Sequence, residues 1–203
     1  MPQSANPSSP SRRALAIRFA IAAVAVAVVA LIVAWLGAAP PRGAAGSLIG
    51  GPFALQDGDG RTVSDQTLRG KPFLVYFGYT HCPDVCPTEL ARVADVLAKM
   101  GDKAVPALFI TVDPERDTPK TMQDYATSFG PSITGLSGAP QAVGAAMKAF
   151  RVFARKGPVA SDGSYPMDHS SIVYLMDKQG AFVEALNLDR PPEETAKEIG
   201  RYF

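Results

Sequence analysis

Cys82 and Cys86 are the only cysteines in the chain, and both lie within the nine residues Tyr79-Thr80-His81-Cys82-Pro83-Asp84-Val85-Cys86-Pro87. Two thiols this close can cycle between dithiol and disulfide, or, as thiolates, hold a soft metal ion. The spacing is Cys-x3-Cys, one residue wider than the Cys-x2-Cys of ordinary dithiol oxidoreductases. A purely structural disulfide is a poor account of the pair, because so small a loop restricts the unfolded chain only modestly. Reactivity or binding explains it better.

A metal would need further ligands, and the chain has two histidines. His81 abuts Cys82, and a residue beside a ligand often points elsewhere, so it reads as a solvent-facing loop residue or a donor behind the ligands. His169 lies in Tyr165-Pro166-Met167-Asp168-His169-Ser170-Ser171, just ahead of an apolar stretch. Two thiolates and an imidazole suit copper. A Cys2His set with an open fourth position also suits zinc in a catalytic role, whereas a structural zinc site would want four protein ligands. Met167 offers a weak thioether but reads more simply as a packing residue.

The elements that would position these groups follow from pattern. Residues 73–77 (Phe-Leu-Val-Tyr-Phe) form a continuous apolar run, as expected of a strand buried on both faces. Leu90, Val93, Leu97 and Met100 recur at helical spacing, with Gly101 as the stop. Residues 106–112 read as a second buried strand, completing a β-α-β unit. Thr118-Pro119 has the N-cap and first-turn chemistry of another helix, with Met122, Tyr125, Ala126 and Phe129 as its apolar face and Gly130-Pro131 as its end. A short helix is expected over 140–150. Strands over 171–176 and 181–186 are joined by Asp177-Lys178-Gln179-Gly180 and therefore run antiparallel. Pro191-Pro192-Glu193-Glu194 opens a last helix, with acids where the helix dipole favours them. Ahead of these, residues 53–55 and 62–63 flank Asp57-Gly58-Asp59-Gly60, a hairpin signal.

This order is that of an α/β, thioredoxin-like domain with an N-terminal β-hairpin extension. It puts the cysteines at a strand-to-helix turn, at the carboxyl end of a central strand, where open α/β sheets place their sites. Cys86 is expected near the N-cap and Pro87 at the first helical position. The helix N-terminus favours thiolate, while Asp84 and Glu89 oppose it, so the net sign stays open. In such a sheet the loop entering 171–176 approaches the cysteine turn, which makes His169 as good a candidate for a third ligand as for a structural residue.

Residues 19–39 contain no charged or strongly polar side chain. At about 1.5 Å per residue they span roughly 30 Å, the thickness of a bilayer's hydrocarbon core. Arg12, Arg13 and Arg18 precede the run and only Arg42 follows it closely, which places the N-terminus in the cytoplasm. The run exceeds the apolar region of a signal peptide, and Gly37-Ala38-Ala39 is followed by Pro40-Pro41, a poor start for a mature chain. The expected layout is a cytoplasmic tail over 1–18, a single transmembrane anchor over 19–39, a linker over 40–50 and the folded domain over 51–203. The first 47 residues hold four arginines and no acid, leaving 16 basic and 19 acidic side chains, a net of −3, for the rest. No nucleic-acid partner is implied.

Taken with their order behind a single anchor, three segments resemble the Sco/SenC family of membrane-anchored, thioredoxin-like copper chaperones. They are residues 76–87 (Tyr-Phe-Gly-Tyr-Thr-His-Cys-Pro-Asp-Val-Cys-Pro), residues 111–119 (Thr-Val-Asp-Pro-Glu-Arg-Asp-Thr-Pro) and Asp168-His169-Ser170. The resemblance covers roughly residues 49–203. It implies that Cys82, Cys86 and His169 bind copper, as Cu(I) or Cu(II), and that the chain serves the CuA centre of cytochrome c oxidase. Implied partners are the CuA-bearing oxidase subunit and other copper chaperones or thiol reductants. Behind the ligands, Asp168 is expected to orient or charge-balance His169, and Asp113 to shape the site or cap a turn; Asp84 reads as a loop residue. The expected location is a bacterial inner membrane with the domain in the periplasm, or alternatively a mitochondrial inner membrane facing the intermembrane space. Chiefly a metallochaperone is expected. The main alternative is a thiol-disulfide oxidoreductase using Cys82 and Cys86 as a reversible disulfide pair to reduce the CuA-site cysteines or another exported partner. A peroxidase of the peroxiredoxin or glutathione-peroxidase type shares the fold, but its reactive cysteine normally stands alone at that turn.

Overall fold

The structure is a computed structural model that describes residues 48–203, together with Ile21, Ala23, Val24, Val26, Ala27 and Val28, which are helical and exposed. Two units divide the chain, Met1–Arg42 and Gly43–Phe203, and the fold below is that of the second. Among the described residues no helix is long and apolar enough to cross a membrane. The span expected over 19–39 falls mostly outside them.

The N-terminal hairpin pairs β1 (Ala54–Gln56) with β2 (Thr62–Ser64), antiparallel as expected. The central sheet is built from β3 (Phe73–Gly78), β4 (Ala107–Thr111), β5 (Ile133–Leu136), β8 (Val173–Met176) and β9 (Phe182–Ala185), in the order β5-β4-β3-β8-β9. β3, β4 and β5 are mutually parallel, while β8 and β9 run antiparallel. Every residue of β3 and β4 is buried, the property their unbroken apolar runs foretold. Four helices complete the domain: α1 (Val85–Met100), α2 (Pro119–Thr127), α3 (Pro140–Ala149) and α4 (Pro192–Ile199). α1 packs against α4, and α2 against β5. Thr118 caps α2 as expected, its hydroxyl accepting the Thr121 N–H at 3.1 Å ahead of Pro119.

Side chains alternate across β3, so Tyr76 and Phe77 seed aromatic clusters on its two faces. Tyr76 stacks on Phe109, which meets Tyr125. Phe77 meets Phe150 and Tyr174, and Phe150 also meets Phe53, just ahead of the hairpin.

Three departures from expectation bear on the site. β5 did not read as a strand because Gly135 interrupts it. A Cβ there would lie 2.1 Å from the Met122 carbonyl oxygen, so the glycine is what lets α2 approach the sheet edge. A second two-stranded ribbon, β6 (Ala154–Lys156) with β7 (Met167–His169), stands outside the central sheet where a loop was expected. Finally, the end of the expected linker is docked on the domain. Gly50 N–H bonds the Ala149 carbonyl at 2.9 Å, Arg151 Nε bonds the Leu48 carbonyl at 3.0 Å, and Ile49 packs on the core.

Candidate metal centre

The turn between β3 and α1 carries both cysteines. α1 begins at Val85, after Asp84 in a non-helical conformation with no side-chain cap. Cys86 is therefore the second helical residue and Pro87 the third, two positions deeper than expected. That shift points Cys86 inward, where it is fully buried, while Cys82 stays half-buried at the surface; both thiols are free. Cys86 N–H donates to Cys82 Sγ at 3.3 Å.

Room for the buried sulfur is made by Gly78, the last residue of β3. A Cβ at that position would sit 2.8 Å from Cys86 Sγ and 2.7 Å from Cε2 of Phe109. The turn itself is tied down by Asp117, whose side chain is fully buried. Its carboxylate accepts Thr80 N–H at 3.1 Å, the Thr80 hydroxyl at 2.6 Å and the Thr111 hydroxyl at 2.9 Å. Asp117 thereby joins the cysteine turn to the end of β4.

His169 ends β7 and comes within 3.6 Å of Cys86 Sγ through Nε2. Its Nδ1 lies 3.0 Å from the Ser170 carbonyl oxygen. A carbonyl only accepts, so Nδ1 carries the proton and the Nε2 lone pair faces the sulfurs. The ring is also held edge-to-face against Tyr79, centroids 5.7 Å apart. The ligand atoms of Cys82, Cys86 and His169 all lie within 4.8 Å of one another. Cys82 and His169 line a cleft of about 310 Å³ together with Val85, Pro166 and Met167, while the fully buried Cys86 is not part of its wall. Two other clefts, of about 260 and 340 Å³, lie beside Phe129 and Phe203 and contain none of these three residues.

Electrostatically the two thiols differ. Burial pushes Cys86 up to about 12, helped by Cys82 beside it, and the hydrogen bonds from Tyr79 N–H and the Tyr76 hydroxyl only partly offset this. The opposing acids are remote in effect: Asp84 is exposed and Glu89 pairs with Arg92 at 2.8 Å. Tyr76 is likewise pushed up, first by burial and then by the nearby Cys86.

The remaining sequence candidates fall around this centre. His81 is exposed, 3.1 Å from the Thr80 hydroxyl and away from the three-ligand group. Met167 lines the cleft and packs on the core. Asp168 does not orient His169: alternation along β7 turns it outward to Arg155, 3.1 Å away at the surface. Asp113 is buried and touches no ligand; its carboxylate takes Arg116 Nε and the Tyr165 hydroxyl, and its carbonyl takes Asp117 N–H. The supporting roles of Gly78, Tyr79, Arg116 and Asp117 escaped sequence reasoning. The available signals were their place after two buried strands and within the segments 76–87 and 111–119 that carry the family resemblance.

The SCO1/SenC family model matches residues 41–203. Protein SenC of Rhodobacter capsulatus is 40% identical over 165 residues, covering 79% of this chain and 73% of its own length. The mitochondrial SCO1 homolog 1 of Arabidopsis thaliana is 38% identical over 161 residues, or 76% of this chain but only 48% of that longer protein. Among solved structures, Bradyrhizobium japonicum ScoI with copper bound superposes with a TM-score of 0.73 at 52% identity, over 76% of this chain and 99% of that one.

Proposed function

This chain belongs to the SCO1/SenC family, and from that premise we propose that it is a membrane-anchored copper chaperone. It takes one copper ion through Cys82, Cys86 and His169 and supports assembly of the CuA centre of cytochrome c oxidase. The observation that carries this reading is the convergence of two thiol sulfurs and an imidazole nitrogen within 4.8 Å, with Cys82 and His169 lining a cleft. Two sulfurs and one nitrogen suit copper, and among the described residues the metal-binding group holds three protein ligands, one fewer than a structural zinc site would require.

Each ligand has a distinct part. Cys86, fully buried, supplies the rear sulfur and must give up its proton when copper binds. Cys82, half-buried, is the sulfur an incoming thiol can reach. His169 supplies the third donor, already in the tautomer that offers Nε2. A cargo held by three protein ligands on an open cleft can pass to an acceptor by exchanging one ligand at a time. The acceptor in this reading is the CuA-bearing oxidase subunit, with other copper chaperones or thiol reductants upstream.

The anchor over 19–39 would keep the domain over 51–203 at a bacterial inner membrane, on its periplasmic side, with residues 1–18 in the cytoplasm and 40–50 as linker. The exposure of Ile21, Val24, Val26 and Val28 on their helix supports an apolar, lipid-facing segment. The relatives include bacterial and mitochondrial proteins, so the mitochondrial inner membrane is the alternative.

The thiol pair also supports a second reading, reduction of a partner's disulfide. Cys82 is half-buried and therefore reachable, and its sulfur accepts the Cys86 N–H at 3.3 Å. Its thiolate would attack the partner disulfide, releasing one partner thiolate and leaving a mixed disulfide. Cys86, losing its proton, would then attack Cys82 Sγ, freeing the second partner thiol and closing a Cys82–Cys86 disulfide. His169 has no necessary part in that exchange.

Anaerobic Cu(I) titration of the reduced protein decides between them. Near one copper per chain is expected, with Cys82→Ser and Cys86→Ser abolishing tight binding and His169→Ala weakening it. Parent-like binding by His169→Ala, together with normal oxidase assembly in cells carrying it, would replace the chaperone reading with the reductase.

A further inference from the structure

His169 is carried by a weak element. β6 and β7 pair over three residues each and belong to no larger sheet, and an isolated two-stranded ribbon is marginal in water. Something else must hold the ligand at the cysteine turn. The ion pairs Arg155–Asp168 and Lys156–Glu115 are both largely exposed and contribute little to holding it.

More sheltered contacts come from the loop after β4. Asp113, 3% exposed, accepts the Tyr165 hydroxyl at 3.0 Å and also pairs with Arg116 Nε. The Arg116 guanidinium lies 3.5 Å from the centroid of the Tyr165 ring and 5.7 Å from that of Tyr79. Its Nη2 is buried with no hydrogen-bond partner. A buried donor left unpaired is costly, and here the aromatic rings stand in for the missing acceptor through cation–π attraction. Tyr79 continues the chain of contacts: its hydroxyl accepts Met167 N–H at 3.3 Å and its ring meets His169. The contacts thus run from the rigid end of β4, through a planar cation between two tyrosines, to the strand that ends in the imidazole.

We infer that Asp113, Arg116 and Tyr165 form a latch that holds the β6–β7 ribbon against the cysteine turn, making them positioning residues for His169. The inference rests on the copper reading above but concerns the free protein as well. Arg116 is suited to the task because its flat guanidinium can both stack on a ring and bond a carboxylate. Lysine would keep the charge and lose the stack.

The test uses the reduced full chain in detergent, with Cu(I) delivered against a competing chelator, and hydrogen–deuterium exchange of the metal-free protein. Tyr165→Ala is expected to lower Cu(I) affinity by about 10–100-fold, the usual effect of losing support behind a ligand. Tyr165→Phe, which keeps the ring and loses the bond to Asp113, should fall between it and the parent. Arg116→Lys should resemble Tyr165→Ala. In the His169→Ala background, Tyr165→Ala should cause no further loss, because a latch acts only through the imidazole; general destabilisation would add to it. In the metal-free chain, the Met167 and Ser170 amides should exchange faster in Tyr165→Ala while those of β3 and β4 do not. The latch is overturned if those two amides keep their protection, or if Tyr165→Ala binds like the parent while His169→Ala does not. A parent that itself fails to bind copper would instead sink the copper reading, and the exchange data would still judge the latch.

Discussion

Gly78→Ala adds one methyl group at the point where sheet, helix and buried sulfur meet. The new Cβ would lie 2.7 Å from Cε2 of Phe109 and 2.8 Å from Cys86 Sγ, both inside any tolerable contact. Phe109 is fully buried, stacked on Tyr76 at 5.8 Å and backed by Tyr125 at 5.8 Å, so its ring has nowhere to go. Cys86 Sγ is the lighter obstacle, a single atom on one rotatable bond. Overpacking of this kind costs about 1–3 kcal/mol, and the position of the sulfur decides where the cost is felt. If Sγ stays near His169 Nε2, now 3.6 Å away, the metal-free protein carries the strain and loses stability. If Sγ swings aside, the metal-free protein keeps only the strain against Phe109, and copper binding must restore the strained position of the sulfur. That would lower Cu(I) affinity by roughly 5- to 150-fold, the equivalent of the same energy. The sum of the two losses is therefore the predicted quantity, about 1–3 kcal/mol, measured by urea unfolding of the reduced metal-free protein and by Cu(I) competition. A variant unchanged in both measurements would refute the idea that Gly78 makes room for the sulfur.

Three further outcomes follow from the same geometry. Asp117→Ala leaves Thr80 N–H and the Thr80 and Thr111 hydroxyls without their shared acceptor; an unfolding free-energy loss of about 3–5 kcal/mol is expected, read from urea midpoints, and a loss below about 1 kcal/mol would show that water or a neighbour replaces the carboxylate. Asp168→Ala removes only a surface partner of Arg155, so Cu(I) affinity should stay within about threefold of the parent, against the 10–100-fold typical when a group bonded to a ligand is lost. Cys86 is raised from its ordinary 9.0 to about 12 by burial, so its folded form favours the neutral thiol; the stability this confers is full below pH 9 and is lost as pH climbs toward 12, at a limiting slope of about 1.4 kcal/mol per pH unit. Tyr125, also pushed up to about 12 by burial, adds a loss of the same sign only above pH 10, so unfolding curves between pH 9 and 10 should steepen in the parent and not in Cys86→Ala.

The parts of the molecule legible in the sequence were those whose burial is two-sided or periodic. β3 and β4 announce themselves as unbroken apolar runs because both faces are covered. α1 does so through Leu90, Val93 and Leu97, all buried on one side. The cysteine pair was legible by chemistry alone. Gly78 and Asp117 were not, since a glycine at a strand end and an aspartate in a turn look the same whether or not a sulfur or three donors lie against them. β5 was hidden by a glycine that serves a neighbouring helix rather than its own strand.

The misjudged ribbon matters most, because it carries a ligand. Ala154–Lys156 and Met167–His169 are short, polar and half exposed, and nothing local marks them as strands. Their pairing depends on Asp113, Tyr79 and Arg116, which are distant in sequence. Treating 167–169 as a loop made Asp168 look like a natural partner for its neighbour His169. As a strand, the same three residues must alternate, and a side chain adjacent to an inward histidine has to point outward. The placement of Asp168 and the need for a latch thus share one cause. A ligand borne on a two-stranded ribbon can neither be oriented by the residue beside it nor held by its own ladder. Its support has to come from across the fold, and the end of β4 is where this structure supplies it.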